Sequence, residues 1–246
     1  MPIIRLYPNL GCDQVVAVME GKEKMRKRKQ NTTKSEIIRV ATKTFITRGY
    51  SATPIKMLAD ELDISSGHIN FYFPSKDDML AILTNMLCEF QRKMMEYEAG
   101  EGISSLLSIC LELMSMAAAC EENDIAKDFF ISTYQSPKCL SIIHKNDTAR
   151  AKEVFAEYCS DWTDEQFRGA EILVAGIEHA TLNAIDITVP LETRISGALN
   201  AIMMIYNVPE EIRRIKIDKV FAMDYCSIGK RIFNEFKEYV EKENAF

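Results

Sequence analysis

The chain has 246 residues, 47% hydrophobic and 27% charged, with a formal net charge of −6. That suits one or two domains with a real core. No apolar run approaches the roughly 18 residues that span a bilayer, and the N-terminus lacks the apolar core of a signal peptide. Seven scattered cysteines, none in a Cys-x-x-Cys pair, read as buried reduced thiols of a cytoplasmic protein rather than as a disulfide framework or metal site.

The charge is distributed unevenly. Residues 22–56 hold eleven Lys/Arg against two Glu, a balance of +9; residues 1–21 carry −1, which leaves −14 on residues 57–246. A basic front on an acidic body is the footprint of a nucleic-acid-binding unit joined to a sensor or partner domain. Only ten Gly and seven Pro interrupt the chain, and no period-2 run of β-branched residues is long enough for a strand, so the fold class expected is all-α.

Residues 1–31 form an N-terminal extension with no convincing element, basic from residue 22. The basic part suits an arm against phosphates or in a minor groove, and equally a tail. A first helix follows. Thr33 and Glu36 can form a capping box; Ile37, Ile38, Ala41 and Phe45 recur on one face; Gly49 supplies a left-handed stop. The second helix is expected to start with Thr53 as N-cap and Pro54 at its first position, with Ile55, Leu58, Ala59 and Leu62 as its apolar face. Ser65 or Ser66 caps a third, very short helix. Ser75 caps a fourth, with Asp77 and Asp78 in its first turn, where the helix dipole favours carboxylates. The second and third segments with a tight turn between them have the size of a helix-turn-helix. The start of its second helix offers Ser65, Ser66, Gly67, His68 and Asn70, all small or able to hydrogen-bond, while Ile69 and Phe73 point into the core.

Residues 34–83 resemble the DNA-binding domain of the tetracycline-repressor-like (TetR) family of transcription regulators. The resemblance rests on Ala41, Phe45, Gly49-Tyr50 and Thr53; on Ile55, Leu58-Ala59 and Leu62; on Ile64 to Ile69; and on Tyr72-Phe73-Pro74-Ser75-Lys76-Asp77-Asp78-Met79-Leu80. It implies that Thr53, Tyr72 and Lys76 contact phosphates and that Ser66, Gly67, His68 and Phe71 face bases. This chain departs from the family at His68, usually Thr, and at Asn70, usually Tyr. Met25-Arg26-Lys27-Arg28-Lys29 looks like a start of this family, and Glu20 to Lys24 would be encoded by purine-rich codons that resemble a ribosome-binding site. A third reading of this segment, beside the arm and the tail, is that residues 1–24 are not translated in the native protein.

The fourth helix is expected to run to about Gly100 and to link the DNA-binding unit to the body. Further helices are expected near 103–121, 124–135, 138–159, 164–186, 191–206, 209–222 and 224–243. The resulting division is an extension over 1–31, a helix-turn-helix domain over 32–80 and a helical ligand-binding and dimerisation domain over 81–246. The resemblance implies a pocket in the body for a small-molecule effector, with Met114, Phe129, Phe130, Tyr134, His144, Trp162 and His179 as candidate lining; Met and aromatic side chains suit an apolar or aromatic ligand. It also implies that the last long helices pair with those of a second copy. Candidate residues are Phe167, Leu173, Val174 and Ile177 in one helix and Ile195, Leu199, Ile202 and Met203 in another. The same pattern suits an intramolecular core.

No phosphate loop, His-Glu-x-x-His, Gly-x-Ser-x-Gly or metal-spaced Cys/His set supports an enzyme, and no cofactor or metal is expected. The partners expected are operator DNA, a second copy of the chain and an effector. The alternative is a protein-interaction adaptor with a vestigial DNA-binding unit.

Overall fold

Among residues 33–100, 102, 104–184 and 188–243, which the computed structural model describes, every regular element is an α-helix. They are α1 over residues 33–48, α2 Ile55–Glu61, α3 Ser66–Tyr72, α4 Lys76–Gly100, α5 Ser105–Glu122, α6 Asp124–Gln135, α7 Pro137–Val154, α8 Asp164–Leu182, α9 Leu191–Ile205, α10 Glu210–Phe221 and α11 Tyr225–Glu243. The basic arm and residues 1–24 lie outside the described residues.

The breaks have local causes. Gly49 takes φ 98° and ends α1. Asp63 (φ 51°) ends α2 in a Schellman turn, in which Ile64 N–H donates to Ala59 O at 3.0 Å. Asn207 (φ 57°) ends α9 the same way, with Val208 N–H on Met203 O at 3.0 Å. Ser65, Asn123 and Thr163 cap α3, α6 and α8 through their side-chain oxygens.

Some starts and stops differ from expectation; α8, expected to reach 186, ends at Leu182. The N-cap of α2 is Pro54, not Thr53, whose side chain is fully buried. Ser136 and Pro137 open α7, and the Ser136 hydroxyl donates to Asp77 Oδ2 at 2.8 Å instead of accepting from the helix. Helix α7 stops at Val154 rather than near 159, because Phe155 turns inward and stacks on Tyr206, ring centroids 4.0 Å apart.

Helix α5 is the axis of the body. Thirteen of its eighteen residues are buried, since α4, α6, α8, α9, α10 and α11 all pack on it. Its most extensive partner is α11, whose Phe233, Phe236 and Val240 face inward. The approach is close because small residues meet: a Cβ on Gly229 would lie 2.6 Å from Ser115 O. Phe236 ties this pair to the neighbouring helices through Phe90 of α4 (5.5 Å) and Phe129 of α6 (5.7 Å). Each fully buried ring of this kind contributes about 1.5–3 kcal/mol. Helix α4 packs lengthwise on α7 and so joins the three N-terminal helices to the interior.

Candidate nucleic-acid interface and interior cavity

The helix-turn-helix is anchored on one side only. Ile69 is the buried residue of α3 and Phe73 follows it into the core. Ser65, Gly67, His68, Asn70 and Phe71 are exposed, and Ser66 and Tyr72 are half-buried. Ser65 Oγ accepts from His68 N–H at 3.2 Å, fixing the first turn. Phe71 is 72% exposed, an unusual place for a ring. Tyr72 steadies it edge-on at 5.2 Å and also meets His68 at 5.5 Å. Of the basic residues expected to form the front, Lys34, Arg39, Lys43, Arg48 and Lys56 are described, and all are exposed.

Two expected phosphate contacts are engaged internally. Thr53 has no exposed surface, and its hydroxyl donates to Gly49 O at 2.6 Å. Its expected role as a solvent-facing contact therefore gives way to fastening the turn after α1. Lys76 is half-buried; Nζ donates to Tyr50 O at 2.8 Å and sits 3.9 Å from the centre of the Tyr50 ring. Burial pushes its pKa down against the pull of Asp128 and Asp77.

This corner is where the body meets the helix-turn-helix. Tyr50 donates its hydroxyl to Asp77, and burial followed by Asp77 raises its pKa. Asp128 of α6 accepts from Ser51 N–H at 2.9 Å. Lys138 of α7 pairs with Asp78, which its bonded ammonium holds below the usual carboxylate range. The turn after α1 and the start of α4 are thus held together by side chains from α6 and α7. Composition could not have revealed this, since each residue reads alone as an ordinary surface charge.

The interior holds a cavity of about 60 Å³ between α4, α5, α6, α7 and α8. Of the seven residues expected to line a pocket, Phe130 and Tyr134 do so. Met114 and Phe129 are fully buried core, and Trp162 packs edge-on against Phe167 at 5.2 Å. His179 stacks on Tyr134 at 6.1 Å, and His144 is on α7; neither lines the cavity. Met116, Phe130, Tyr134, Phe155 and Tyr206 give the lining Met and aromatic character, and five charged residues face the same space: Glu112, Asp147, Arg150, Glu171 and Glu178. Arg150 Nη2 donates to Glu112 Oε2 at 2.6 Å. Tyr134 donates to Glu178 Oε2 at 2.8 Å, and Tyr206 donates to Glu171. Burial raises the pKa of Glu171 and Glu178 and brings Asp147 to about 7, with Arg150 opposing the last shift and Glu171 and Glu112 reinforcing it. The signal available in sequence was position: Glu112 interrupts an apolar run, and Glu171 and Glu178 lie two turns apart on one helix face.

The residues expected at a subunit interface divide. Phe167, Val174, Ile195, Leu199, Ile202 and Met203 are buried within the protomer, and Ile177 is half-buried. Leu173 alone is exposed, at 60%. The exposed apolar face of α8 consists of Ile172 and Leu173 with Gly169, Gly176 and Ala180; beside it α9 presents Gly197 and Met204. The strongest periodic stripe of each helix was the one already consumed by its own core.

Residues 37–83 match the family of bacterial regulatory proteins of the tetR type. The chain is 33% identical over 108 residues to the HTH-type transcriptional regulator HbdR of Aromatoleum sp. (strain CIB); the match spans 43% of this chain and 44% of that one, so less than half of the relative is covered. The fold resembles Thermus thermophilus FadR, a TetR family transcriptional repressor solved with lauroyl-CoA, at TM-score 0.52 and 16% identity over 72% of this chain and 96% of that one. It also resembles the TetR family protein CprB from S. coelicolor A3(2), at TM-score 0.41 and 17% identity over 83% and 98% of the two chains. Among the described residues the chain is helical throughout, and the part that matches the family model is the helix-turn-helix with its outward face on α3. The likeness to the tetR family of bacterial regulatory proteins is thus carried by residues 37–83, which hold the helix-turn-helix.

Proposed function

We propose that the protein is a repressor that binds a pseudo-palindromic operator as a homodimer and leaves it when a small molecule enters the body. The observation that carries this reading is the one-sided anchoring of α3. Ile69 is buried while Gly67, His68, Asn70 and Phe71 are exposed and Ser66 is half-buried, a face turned away from the core. Gly67 has only Ser65 Oγ, at 3.8 Å, near an added Cβ, so the backbone there is open to a groove wall. The outward side chains suit base edges: a donor ring, an amide and an aromatic surface for thymine methyl groups.

Dimerisation is supported by α8 and α9. A Cβ on Gly169, Gly176 or Gly197 would meet nothing within 4 Å. Glycine in an exposed helix interior costs roughly 1 kcal/mol against alanine, and no contact within the protomer accounts for it. Close approach of a second copy would account for it, alongside burial of Ile172, Leu173 and Met204. One short recognition helix contacts too little DNA for specificity, and a two-fold pair places two of them about 34–36 Å apart.

Release follows from α4. Its first turn is bonded to Tyr50, Ser136 and Lys138, and Leu87, Cys88 and Gln91 further along face the cavity. A ligand that spreads the cavity moves α4 against α7 and disturbs the bonds that hold the helix-turn-helix, shifting the population away from the DNA-binding spacing. In this reading residues 32–80 serve DNA and residues 81–246 serve ligand and dimer. The test is a mobility shift with the duplex upstream of the protein's own gene. Binding is expected to weaken steeply with salt; indifference to that duplex at low ionic strength sinks the proposal.

A further inference from the structure

The interior cavity has an excess of acid. Arg150 is matched by Glu112 through bonds of 2.6 and 3.4 Å. Beyond that pair Glu171 and Glu178 each accept from one tyrosine, and Asp147 accepts no hydrogen bond among the described residues. A buried carboxylate without a donor is costly unless protonated or met by a cation. An anionic ligand would enter beside these carboxylates with the one arginine already engaged. A metal ion does not suit the site either: among the described residues no three His, Cys, Asp or Glu side chains gather closely enough to hold one.

A second compartment of about 20 Å³ adjoins the first. Leu87, Gln91, Glu112, Met116 and Phe130 line both. Beyond them it is walled by Phe90, Phe233 and Phe236. The partition is made of flexible side chains, notably Met116 and Gln91, whose Nε2 lies 3.6 Å from Met116 Sδ. Rotation of these joins an acidic compartment to an aromatic one.

We propose that the effector is an amphipathic organic cation: a primary ammonium or amidinium head that donates to Asp147, Glu178 and Glu171, carrying an apolar or aromatic tail that passes Met116 toward Phe233 and Phe236. The inference rests on reading residues 81–246 as an effector-binding unit. Three or more N–H donors on one head meet the free lone pairs that the tyrosines leave, and charge-assisted bonds of this kind are the strong ones. The groups around Asp147 are Cys88 on α4, Glu112 on α5, Tyr134 on α6, Arg150 on α7, Glu171 and Glu178 on α8, and Tyr206 after α9. Since Asp147 titrates at about 7 without the ligand, an arriving cation displaces a proton from the carboxylates, and affinity rises with pH through neutrality.

The test is isothermal titration of the full chain, without DNA, with three probes of one shape: 3-phenylpropylammonium, 3-phenylpropan-1-ol and 3-phenylpropanoate. The ammonium is expected to bind about ten-fold or more tightly than the alcohol, as a charge-assisted bond is worth, and the carboxylate most weakly. Its apparent enthalpy should change with the ionisation heat of the buffer, reporting proton release. Asp147→Asn and, independently, Glu178→Gln should each abolish the preference for the ammonium while leaving affinity for the alcohol within about two-fold. A carboxylate that binds at least as tightly as the ammonium, a preference unchanged in both variants, or no binding of any probe at millimolar concentration overturns the proposal. Because DNA is absent, a protein that takes the ammonium yet ignores duplex DNA refutes the regulator reading and leaves this one standing.

Discussion

Asp147 sits where its ionised form is poorly supported, and that has a consequence for stability. Its folded pKa is about 7 against an ordinary 3.8, raised by burial and by Glu171 and Glu112 beyond what Arg150 takes back. For an acid shifted upward, the unfolded chain loses its proton first. Stability therefore falls as pH rises between the two values and stays at the lower level above the folded one. Asp147→Asn should raise the melting temperature by a few degrees at pH 8 and by less at pH 5, where the native group is still protonated. An equal gain at both pH values would show that the carboxylate is ionised throughout. Two other residues make complementary predictions. Gly229→Ala drives a methyl group to 2.6 Å from Ser115 O, between two backbones that cannot both stay in place. A loss of roughly 1–3 kcal/mol in chemical denaturation is expected. Phe71→Ala removes an exposed ring and should leave stability within about 0.5 kcal/mol, while selection of binding sites from a random pool should lose preference at a thymine.

The link between the body and the helix-turn-helix belongs to the scale of helices. Asp128 on α6 holds Ser51 N–H, Lys138 on α7 holds Asp78, and Ser136 at the start of α7 holds Asp77. Cutting this seam should weaken communication more than it weakens either end. For Lys138→Ala and Asp128→Ala, affinity for DNA without ligand should change little, while the loss of affinity caused by ligand shrinks by about five-fold or more. An unaltered ligand effect in both variants would place the coupling elsewhere along α4. This is also the scale at which reading from sequence succeeded and failed. Capping residues and glycine stops are local chemistry, so α5, α6, α9, α10 and α11 fall within a few residues of where their signals put them. The outward face of α3 was legible for the same reason, because Ile69 and Phe73 mark its buried side. Thr53 was misread because a threonine before proline is a cap signal, whereas here its hydroxyl closes the preceding turn onto Gly49. Of the expected lining Phe130 and Tyr134 reach the cavity, whereas Met114 and Phe129 are core and Trp162 packs beside it, because hydrophobicity finds core. The charged part of the lining is signalled instead by charges on the buried side of amphipathic helices, as at Glu112 and Glu171.

At the scale of the molecule the account needs two copies. The exposed stripe of α8, with Ile172 at 61% and Leu173 at 60%, lies on the opposite side of the helix from the buried Phe167, Ala170 and Val174. A helix apolar on both sides belongs between two bodies. Leu173→Glu combined with Ile172→Glu should yield folded monomers in sedimentation, with an unchanged helical signal and little remaining affinity for operator DNA. If that variant stays dimeric, the pairing surface lies elsewhere. The acidic body also has a place at this scale. With −14 carried beyond residue 56, it would repel a phosphate backbone, so under this proposal DNA is expected at the basic front.

The most direct test is the sedimentation velocity of the protein mixed with a fluorescent duplex from the region upstream of its own gene, at about 50 mM salt, where phosphate contacts are strong. Two protomers per duplex are expected, dissociating together as salt is raised. A duplex that sediments alone, or one that carries a single protomer at saturation, contradicts the account.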